Sequence, residues 1–376
     1  MNLHKDGSTS DPGNYRGIMI NSCLSKVLTS ILNSRLDKYV QDNSIMNKFQ
    51  IGFKKKARTA DHIFVLRTLI EKYVKRFKKP LFACFVDFKK AFDSVWHKGL
   101  YYKLLRQNIR GKIFDLIMNM YENSSASIKV DNDTTESFHV TTGVKQGEIM
   151  SPLLFNLFTN DLPDTIPVDK NTPFLDASDI RCLLYADDLV LLSLSAVGLQ
   201  NSINKLGSYC KRWHLEVNTK KTKVVKFSGN GHKCIDRFYL NGTLLDNVQN
   251  YRYLGIVLNA SGSFSQAKQT LANKARKALF KLRSNISGHD FNPMICLRLF
   301  DHLLKPICLY GSEIWGADNF FKYKSDDVLG TVFDKLIDKQ PAEKIHLSFC
   351  KYILGIPRRS CINMVRGELG RFPLFK

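Results

Sequence analysis

The sequence has no uninterrupted apolar run of about 18 residues, the length that indicates a membrane-spanning helix, although 44% of its residues are hydrophobic. Its nine cysteines are an odd number and include no Cys-x-x-Cys pair. The polar start, residues 1–10, does not resemble a secretory leader. We therefore expect a nuclear or cytoplasmic protein without a membrane segment, whose thiols serve as small core hydrophobes.

Two short clusters offer metal-binding residue types but no complete zinc site. Cys210-x-x-x-His214 and His232-Lys233-Cys234 each supply two ligand types. A structural zinc ion takes four ligands at suitable spacing. No zinc is expected.

Acidic residues are also few: the chain has 34 Asp and Glu against 56 Lys and Arg, which gives a formal net charge of +22. Such an excess indicates a polyanionic partner. A membrane surface is the weaker interpretation, since the basic residues are spread along the chain and not confined to one amphipathic helix. Nucleic acid is the expected partner, and 376 residues suit two or three subdomains.

Apolar periodicity predicts a mixed α+β chain. A helix is expected over residues 24–40, and another from Thr59 to the basic stretch before Pro80. Further segments follow in the order strand 81–88, helices 95–107 and 111–123, hairpin 127–140, loop 163–179, strand-turn-strand 181–193, helix 199–213 and basic strand 218–227. Beyond Gly262 the pattern becomes mostly helical, so we place a subdomain boundary there.

The motif Tyr185-Ala186-Asp187-Asp188 puts two carboxylates at the tip of two apolar strands. Hairpin turns favour Asn-Gly or Asp-Gly, and adjacent anions repel each other, so this turn breaks a local rule. Magnesium would make the pair tolerable, and phosphoryl transfer uses two such ions about 3.5–4 Å apart. An ordinary polar turn is the alternative, because Ser325-Asp326-Asp327-Val328 also has an Asp pair, there without flanking apolar strands.

A further metal ligand is expected from a neighbouring strand, and Asp87 closes the buried run that precedes it. Phe92, five residues on, is placed to meet the sugar of an incoming nucleotide and to exclude a 2′-hydroxyl; the alternative is a core aromatic. Asp93 is either a third ligand or the N-cap of the helix near Val95, and we favour the cap.

Three sequence motifs that occur in a fixed order give this chain a specific resemblance to a known protein family. The motifs are Phe85-Val86-Asp87-Phe88-Lys89-Lys90-Ala91-Phe92-Asp93, then Gly143-Val144-Lys145-Gln146-Gly147 with Ser151-Pro152-Leu153-Leu154-Phe155-Asn156, and then Tyr185-Ala186-Asp187-Asp188. Together they resemble the palm of reverse transcriptases from non-LTR (LINE-type) retrotransposons. Similar matches extend to Asn14-Tyr15-Arg16-Gly17-Ile18, Gln50-Ile51-Gly52-Phe53 and Tyr310-Gly311-Ser312-Glu313-Ile314-Trp315-Gly316, so that almost the whole chain is covered.

The resemblance implies an RNA-directed DNA polymerase with a right-hand fold: fingers at 1–80, palm at 81–262, and helical thumb with a C-terminal extension at 263–376. It implies an RNA template, a DNA primer or target and dNTPs as partners, and two Mg²⁺ ions, with Mn²⁺ as a substitute. Asp87 and Asp187 would bind both metals, with Asp188 beside them and the Phe88 carbonyl assisting.

By the same resemblance, Phe92 is the sugar gate, and Gln146 and Gly147 line the nucleotide pocket. Arg58 and Lys54 would meet the triphosphate, since cationic donors offset its charge.

Three further elements have implied roles. Lys221 would donate a proton to pyrophosphate, with a phosphate contact or a solvated lysine as alternatives. Tyr253-Leu254-Gly255 resembles the turn that grips the primer. The basic helix after Gly262 resembles the thumb that tracks an RNA–DNA duplex, or is a solvated basic face.

Two departures from the family pattern bear on turnover. Glu148-Ile149-Met150 adds an anion near the nucleotide pocket, and Lys54 stands where arginine is usual. No endonuclease segment or Cys/His knuckle is recognised, which suggests a fragment or a decayed copy of a larger element. The alternatives are a group II intron-type reverse transcriptase, an RNA-dependent RNA polymerase, or a remnant that binds nucleic acid without catalysis.

Overall fold

The computed structural model describes residues 2–4, 7–11, 14–130, 133–287, 291–316 and 337–374. The chain forms two compact units: Met1–His62 with Leu69–Gln249, and Ile63–Thr68 with Asn250–Lys376. The division into fingers, palm and thumb remains a prediction, and the compact units divide the chain at different positions. Within the described ranges no helix combines the length and the apolar character needed to cross a membrane.

The helices predicted over 24–40, from Thr59, and over 95–107, 111–123 and 199–213 are confirmed with bounds that differ by a few residues, and further helices are present. The helices of the described ranges are α1 Cys23–Asp42, α2 Thr59–Leu69 with a π-helical continuation Ile70–Arg76, α3 His97–Arg106, α4 Lys112–Glu122, α5 Ser151–Phe158, α6 Leu162–Thr165, α7 Ala196–Trp213, α8 Ser265–Ile286, α9 Pro293–Leu303, α10 Lys305–Cys308, α11 Ser312–Trp315, α12 Pro341–Ile353 and α13 Ile362–Leu369.

The strands are mostly short outside the central sheet. They are β1 Asn2–His4, β2 Tyr15–Gly17, β3 Leu81–Val86, β4 Ser125–Ala126, β5 Lys129–Val130, β6 Asp133–Thr134, β7 Phe138–His139, β8 Phe174–Leu175, β9 Ser178–Asp179, β10 Cys182–Tyr185, β11 Asp188–Ser193, β12 Lys223–Phe227, β13 Phe238–Leu240, β14 Thr243–Asn247, β15 Asn250–Tyr253 and β16 Ile256–Asn259.

A six-stranded sheet in the order β10-β11-β3-β12-β14-β13 is the centre of the first unit. Strand β3 is apolar at every position and lies between β11 and β12, so all six of its residues are buried. It pairs antiparallel with both neighbours. Successive side chains point to opposite faces of the sheet and all six are buried, so both faces are covered, which explains why the sequence reads as a continuous apolar run and not as an alternating one. Helix α7 packs against β3, β11 and β13.

Helix α1 forms where it was predicted, but only part of its apolar stripe is buried. Ser22 caps the helix by accepting a hydrogen bond from the Ser25 amide, and Leu32, Leu36 and Val40 pack into the core. In the first half of the helix the apolar side chains remain exposed: Leu24, Val27, Leu28 and Ile31.

Two local expectations require correction. The helix predicted from Val95 starts at His97 with Trp96 as its N-cap, so Asp93 lies too early to cap it. The segment 163–179, predicted as a loop, contains part of α6 and the β8–β9 hairpin. The hairpin at 127–140 is present as β4–β7 and β5–β6, while Asp131 and Asn132 lie outside the described residues.

The second unit contains the β15–β16 hairpin and a helical core formed by α8, α9, α10 and α12. The helix predicted beyond Gly262 is present as α8, and one face of it is apolar and buried, with Leu271, Ala275 and Leu279. Glu343, inside α12, accepts hydrogen bonds from the Arg366 side chain at 2.9 Å and from the Leu374 amide at 2.8 Å. These bonds anchor the last described residues to this unit.

The cysteines behave mainly as core residues. Six of the nine are buried and all nine are free. Burial raises the pKa of the Cys84 and Cys210 thiols to about 12, which makes them poor nucleophiles.

Candidate active site

The hairpin between β10 and β11 places the paired aspartates at the rim of the central sheet. Tyr185 pairs with Asp188, so Ala186 and Asp187 form a two-residue loop. Ala186 has φ 57°, a left-handed conformation that residues with a Cβ atom rarely adopt. The comparison pair Asp326-Asp327 lies outside the described residues.

Asp87 emerges beside this turn because of the strand register. Val86 of β3 pairs with Leu189 of β11, so the residue after Val86 leaves the sheet next to the hairpin. The Asp87 backbone is fixed on both sides: its amide donates to the Thr222 hydroxyl at 3.1 Å, and its carbonyl accepts from the Asn218 amide at 2.7 Å. The sheet therefore brings together two residues that are 100 positions apart in the sequence.

The three carboxylates influence one another electrostatically. The pKa of Asp188 is raised to about 6, mainly because neighbouring protein atoms exclude water from the carboxylate and secondly because the charges of Asp187 and Asp87 repel its charged form. A divalent cation bound among mutually repelling carboxylates would offset their charge and so stabilise the folded site. Asp87 and Asp187 line one open cavity of about 2250 Å³, whereas Asp188 is absent from its lining.

The donor set suits magnesium, which prefers carboxylate oxygens and completes its coordination with waters and substrate phosphates. In the described ranges no group of three or more His, Cys, Asp or Glu side chains is arranged so that it could hold a metal ion. Asp87, Phe88 and Asp187 line the same cavity, and two carboxylates suit an ion whose remaining ligands are waters and substrate oxygens.

Phe92 lines the same cavity and is also supported from the core. Its ring stacks on that of Phe155, with centroids 4.7 Å apart and an interplanar angle of 20°. Phe155 is fully buried in α5. The two interpretations of Phe92 are thus compatible, because one face of the ring packs inward while the residue borders the cavity.

Gln146 is held at the cavity by an acidic partner that the sequence did not indicate. Its Nε2 donates to the Asp93 carboxylate at 2.6 Å, and the Val144 amide donates to the Phe92 carbonyl at 2.8 Å. Gly143 permits this approach, since a Cβ there would lie 2.7 Å from the Asp93 carbonyl oxygen. The N-cap predicted for Asp93 is wrong; its carboxylate orients the Gln146 amide instead.

Comparison with known proteins agrees with this geometry. Residues 3–258 match the family model for reverse transcriptase (RNA-dependent DNA polymerase). The chain belongs to the reverse transcriptase family. It is 28% identical over 338 residues to a probable RNA-directed DNA polymerase from transposon BS of Drosophila melanogaster, covering 87% of this chain and 36% of that protein.

Other relatives come from the same kind of element. The RNA-directed DNA polymerase from mobile element jockey of Drosophila melanogaster is 26% identical over 84% of this chain and 34% of its own length. The Pol polyprotein from type-1 retrotransposable element R2 of Popillia japonica is 29% identical over 73% of this chain and 39% of its own. The predicted family resemblance is confirmed, and the chain spans about a third of the length of these relatives.

Glu148, which departs from the reverse transcriptase pattern, is a buried glutamate in the cavity wall. It is 5% exposed, and neither of its carboxyl oxygens has a hydrogen-bond partner among the described residues. The preceding Gly147 has φ 97°, and a Cβ there would lie 3.2 Å from the Met19 carbonyl oxygen. This glycine therefore allows residues near the N-terminus to approach the cavity loop.

The predicted phosphate-contacting residues divide into two groups. Lys221 is exposed and lines the cavity. Lys54 and Arg58 are exposed but absent from the cavity lining, so their contact with a triphosphate stays a prediction.

The predicted primer-gripping turn connects β15 and β16 in the second unit. Leu254 and Gly255 have φ of 43° and 87° and form its loop. The Tyr310 hydroxyl donates to the Leu254 carbonyl at 2.8 Å, and a Cβ on Gly255 would lie 2.9 Å from the Tyr310 ring. The sequence motif near 310 thus supports this turn, while the role in primer binding stays a prediction.

Three polar residues that support the site had no predicted role. Thr222, 1% exposed, holds the Asp87 amide. Gln50, 2% exposed, contacts the Ala186 backbone, and Asn156 donates to the Gly52 carbonyl at 2.7 Å. Gln50 and Asn156 lie inside motifs of the reverse transcriptase pattern, where a polar residue between apolar ones was the available signal, whereas Thr222 lies between lysines and offered no such signal.

Proposed function

We propose that this chain is the polymerase core of a retrotransposon reverse transcriptase, which extends a DNA 3′ end on an RNA template and releases pyrophosphate. The observation that carries the proposal is the convergence of Asp87 and Asp187 on one cavity that Phe92 also borders. The family match and the charge of +22 support nucleic acid as the partner.

In this mechanism Asp87 and Asp187 would hold two Mg²⁺ ions, which when bound activate the attacking 3′-hydroxyl and stabilise the leaving oxygen. Phe92 would contact the sugar and exclude a 2′-hydroxyl. Gln146, oriented by Asp93, presents its amide oxygen and remaining N–H to the nucleotide. Lys221 would offset charge on the departing pyrophosphate and supply its proton.

Primer extension with purified protein tests this function. Magnesium-dependent incorporation of dTTP is expected on poly(rA)/oligo(dT), with little incorporation of UTP. A salt-dependent RNA-binding assay run in parallel identifies the main alternative. Binding that weakens with salt, without any extension on RNA or DNA templates, would show a remnant that has lost catalysis.

Phe92→Val is expected to raise UTP incorporation relative to dTTP by about 10-fold, because the smaller side chain leaves room for the 2′-hydroxyl; that ratio corresponds to about 1.4 kcal/mol. Single-nucleotide kcat/KM values measure the effect. Phe114→Val is the matched control, since Phe114 is a partly buried phenylalanine of the same core that does not line the cavity. Equal selectivity in both variants would assign Phe92 to packing alone.

Asp93→Ala is expected to raise the KM for dTTP by about 5-fold, because the Gln146 amide loses the charge-assisted hydrogen bond that orients it. The thermal midpoint should change little, since Asp93 is exposed. Steady-state kinetics and a melting curve test both statements. An unchanged KM would mean that the Asp93–Gln146 bond does not shape the pocket.

A further inference from the structure

Residues 49–51 form main-chain hydrogen bonds with β10, an edge strand of the central sheet. The Leu184 amide donates to the Phe49 carbonyl at 3.0 Å, and the Ile51 amide donates to the Leu184 carbonyl at 3.0 Å. These bonds bring Gln50 beside the turn that carries Asp187.

The Gln50 side chain is almost fully buried and bonds both backbone groups of Ala186. Its Oε1 accepts from the Ala186 amide at 2.9 Å and from the Gly52 amide at 2.8 Å. Its Nε2 donates to the Ala186 carbonyl at 3.2 Å. One amide side chain therefore fixes the residue immediately before Asp187.

Ala186 needs such support because it is a left-handed residue with a Cβ atom, at φ 57°. The space around it allows little adjustment. A Cβ on Gly52 would lie 2.2 Å from the Ala186 amide nitrogen, and Asn156 holds the Gly52 carbonyl from α5 at 2.7 Å. The segment from Gln50 to Gly52 is thus fitted to one conformation of the turn.

We infer that Gln50 is a positioning residue which, through the Ala186 backbone, sets the turn that presents Asp187 to the metal ions. This inference rests on the proposed function for its metal site. Gln50 acts on Asp187 through the backbone, since these side-chain hydrogen bonds go to backbone groups of Ala186 and Gly52.

The physical consequence of losing this amide follows from its bonds. Without Gln50, two backbone N–H groups and one carbonyl lose their buried partner, and Ala186 is free to leave the left-handed region. Asp187 would then shift relative to Asp87. A displacement of about 1 Å at a reacting centre costs roughly 100-fold in rate, and loss of a group that supports a metal ligand costs about 10–100-fold in metal affinity or activity.

Gln50→Ala and Gln50→Glu test the inference beside the matched control Gln107→Ala. Gln107 is a partly buried glutamine that also donates to a backbone carbonyl, that of Leu157 at 2.9 Å, and it does not line the cavity. Ionised Gln50→Glu keeps an acceptor for the two amides but has no donor for the Ala186 carbonyl. It preserves the size of the side chain, so it guards against a Gln50→Ala protein that fails to fold.

Binding of Mn²⁺ to the full chain without nucleic acid is measured by electron paramagnetic resonance of the free ion. Primer extension is then titrated with Mg²⁺. Both Gln50 variants are expected to bind Mn²⁺ about 10-fold more weakly than wild type and to need about 10-fold more Mg²⁺ for half-maximal extension. Gln107→Ala should match wild type in both measurements, whatever its effect on the melting midpoint.

The outcomes separate the inference from the proposed function. If wild type binds Mn²⁺ but extends no primer, and the Gln50 variants bind more weakly, the positioning role stands and the polymerase function fails. Wild-type metal affinity in both Gln50 variants would overturn the positioning role and leave the polymerase intact. Absence of Mn²⁺ binding in wild type would overturn the inference directly, since there would be no metal site to position.

Discussion

Asp187→Asn is expected to lower the rate of primer extension by at least about 10³-fold. The asparagine has nearly the same shape but loses the negative charge that attracts magnesium, and metal stabilisation of a phosphoryl transition state is worth several kcal/mol. Each 1.36 kcal/mol corresponds to a factor of ten in rate. Single-turnover extension of a labelled primer at saturating dTTP measures the loss.

Two control variants make this result specific. Asp188→Asn should lose less activity, because Asp188 is exposed and absent from the cavity lining. Asp246→Asn should keep wild-type activity, because Asp246 pairs with Lys223 away from the cavity lining. The fold of Asp187→Asn is expected to be intact, since the change removes one of three mutually repelling charges. Full activity of Asp187→Asn would refute the two-metal mechanism.

Lys103→Ala is expected to lower the free energy of unfolding by about 3 kcal/mol, through lost packing and the lost hydrogen bonds of a buried ammonium group. Lys103 is 3% exposed. Its Nζ donates to the Phe158 carbonyl, to the Asp161 carboxylate at 2.6 Å and to the Tyr209 hydroxyl at 2.6 Å, and it lies 3.8 Å from the Trp213 ring centroid. Urea unfolding followed by circular dichroism measures the change.

Lys103→Met distinguishes packing from charge. Burial, opposed by Asp161, lowers the pKa of Lys103 from 10.5 to about 8, so the charged form is disfavoured in the folded protein. Methionine fills similar space without the cost of burying a charge. The free energy of unfolding of Lys103→Met should therefore be less than about 1 kcal/mol below that of wild type. As an exposed control, Lys75→Ala breaks the Glu71 pair and should cost about 0.3–0.5 kcal/mol. A methionine variant as unstable as the alanine variant would show that the charge is needed.

The lowered pKa also predicts a pH dependence. Between about pH 8 and pH 10.5 the unfolded state binds more protons at Lys103 than the folded state does. The free energy of unfolding of wild type should therefore rise with pH across this window relative to Lys103→Met. Parallel urea titrations at pH 7 and pH 10 give the difference, and a constant difference would contradict the lowered pKa.

The elements that the sequence predicted well are those whose apolar pattern can be recognised within one short segment. Strand β3 and the β10–β11 hairpin follow the predicted segments, because continuous apolar runs ending at aspartates can be read without knowing their neighbours. Helix α1 shows the limit of this approach. Its apolar stripe predicts a buried face along the whole helix, yet Leu24 is 83% exposed, since burial depends on which elements lie opposite.

Asp93 shows a second limit, because its residue type suits both a helix cap and a hydrogen-bond acceptor. The start of α3 at His97 and the hydrogen bond from Gln146, which is 53 residues away, decide between them. Gln50 is a similar case, since its partner Ala186 is 136 residues away. Spacing along the chain carries no signal for such contacts.

The sequence by itself determined the family, the α+β class and the basic character, and it nominated Asp87, Asp187 and Asp188 as candidate metal ligands, because these properties reside in residue types and in the order of the motifs. The tertiary structure decided which of these aspartates share a cavity, which ring supports Phe92 and which side chains fix Gln146 and the left-handed turn at Ala186. The reason is physical: strand register and long-range hydrogen bonds set these distances, and each is a property of two segments together, which neither segment encodes alone.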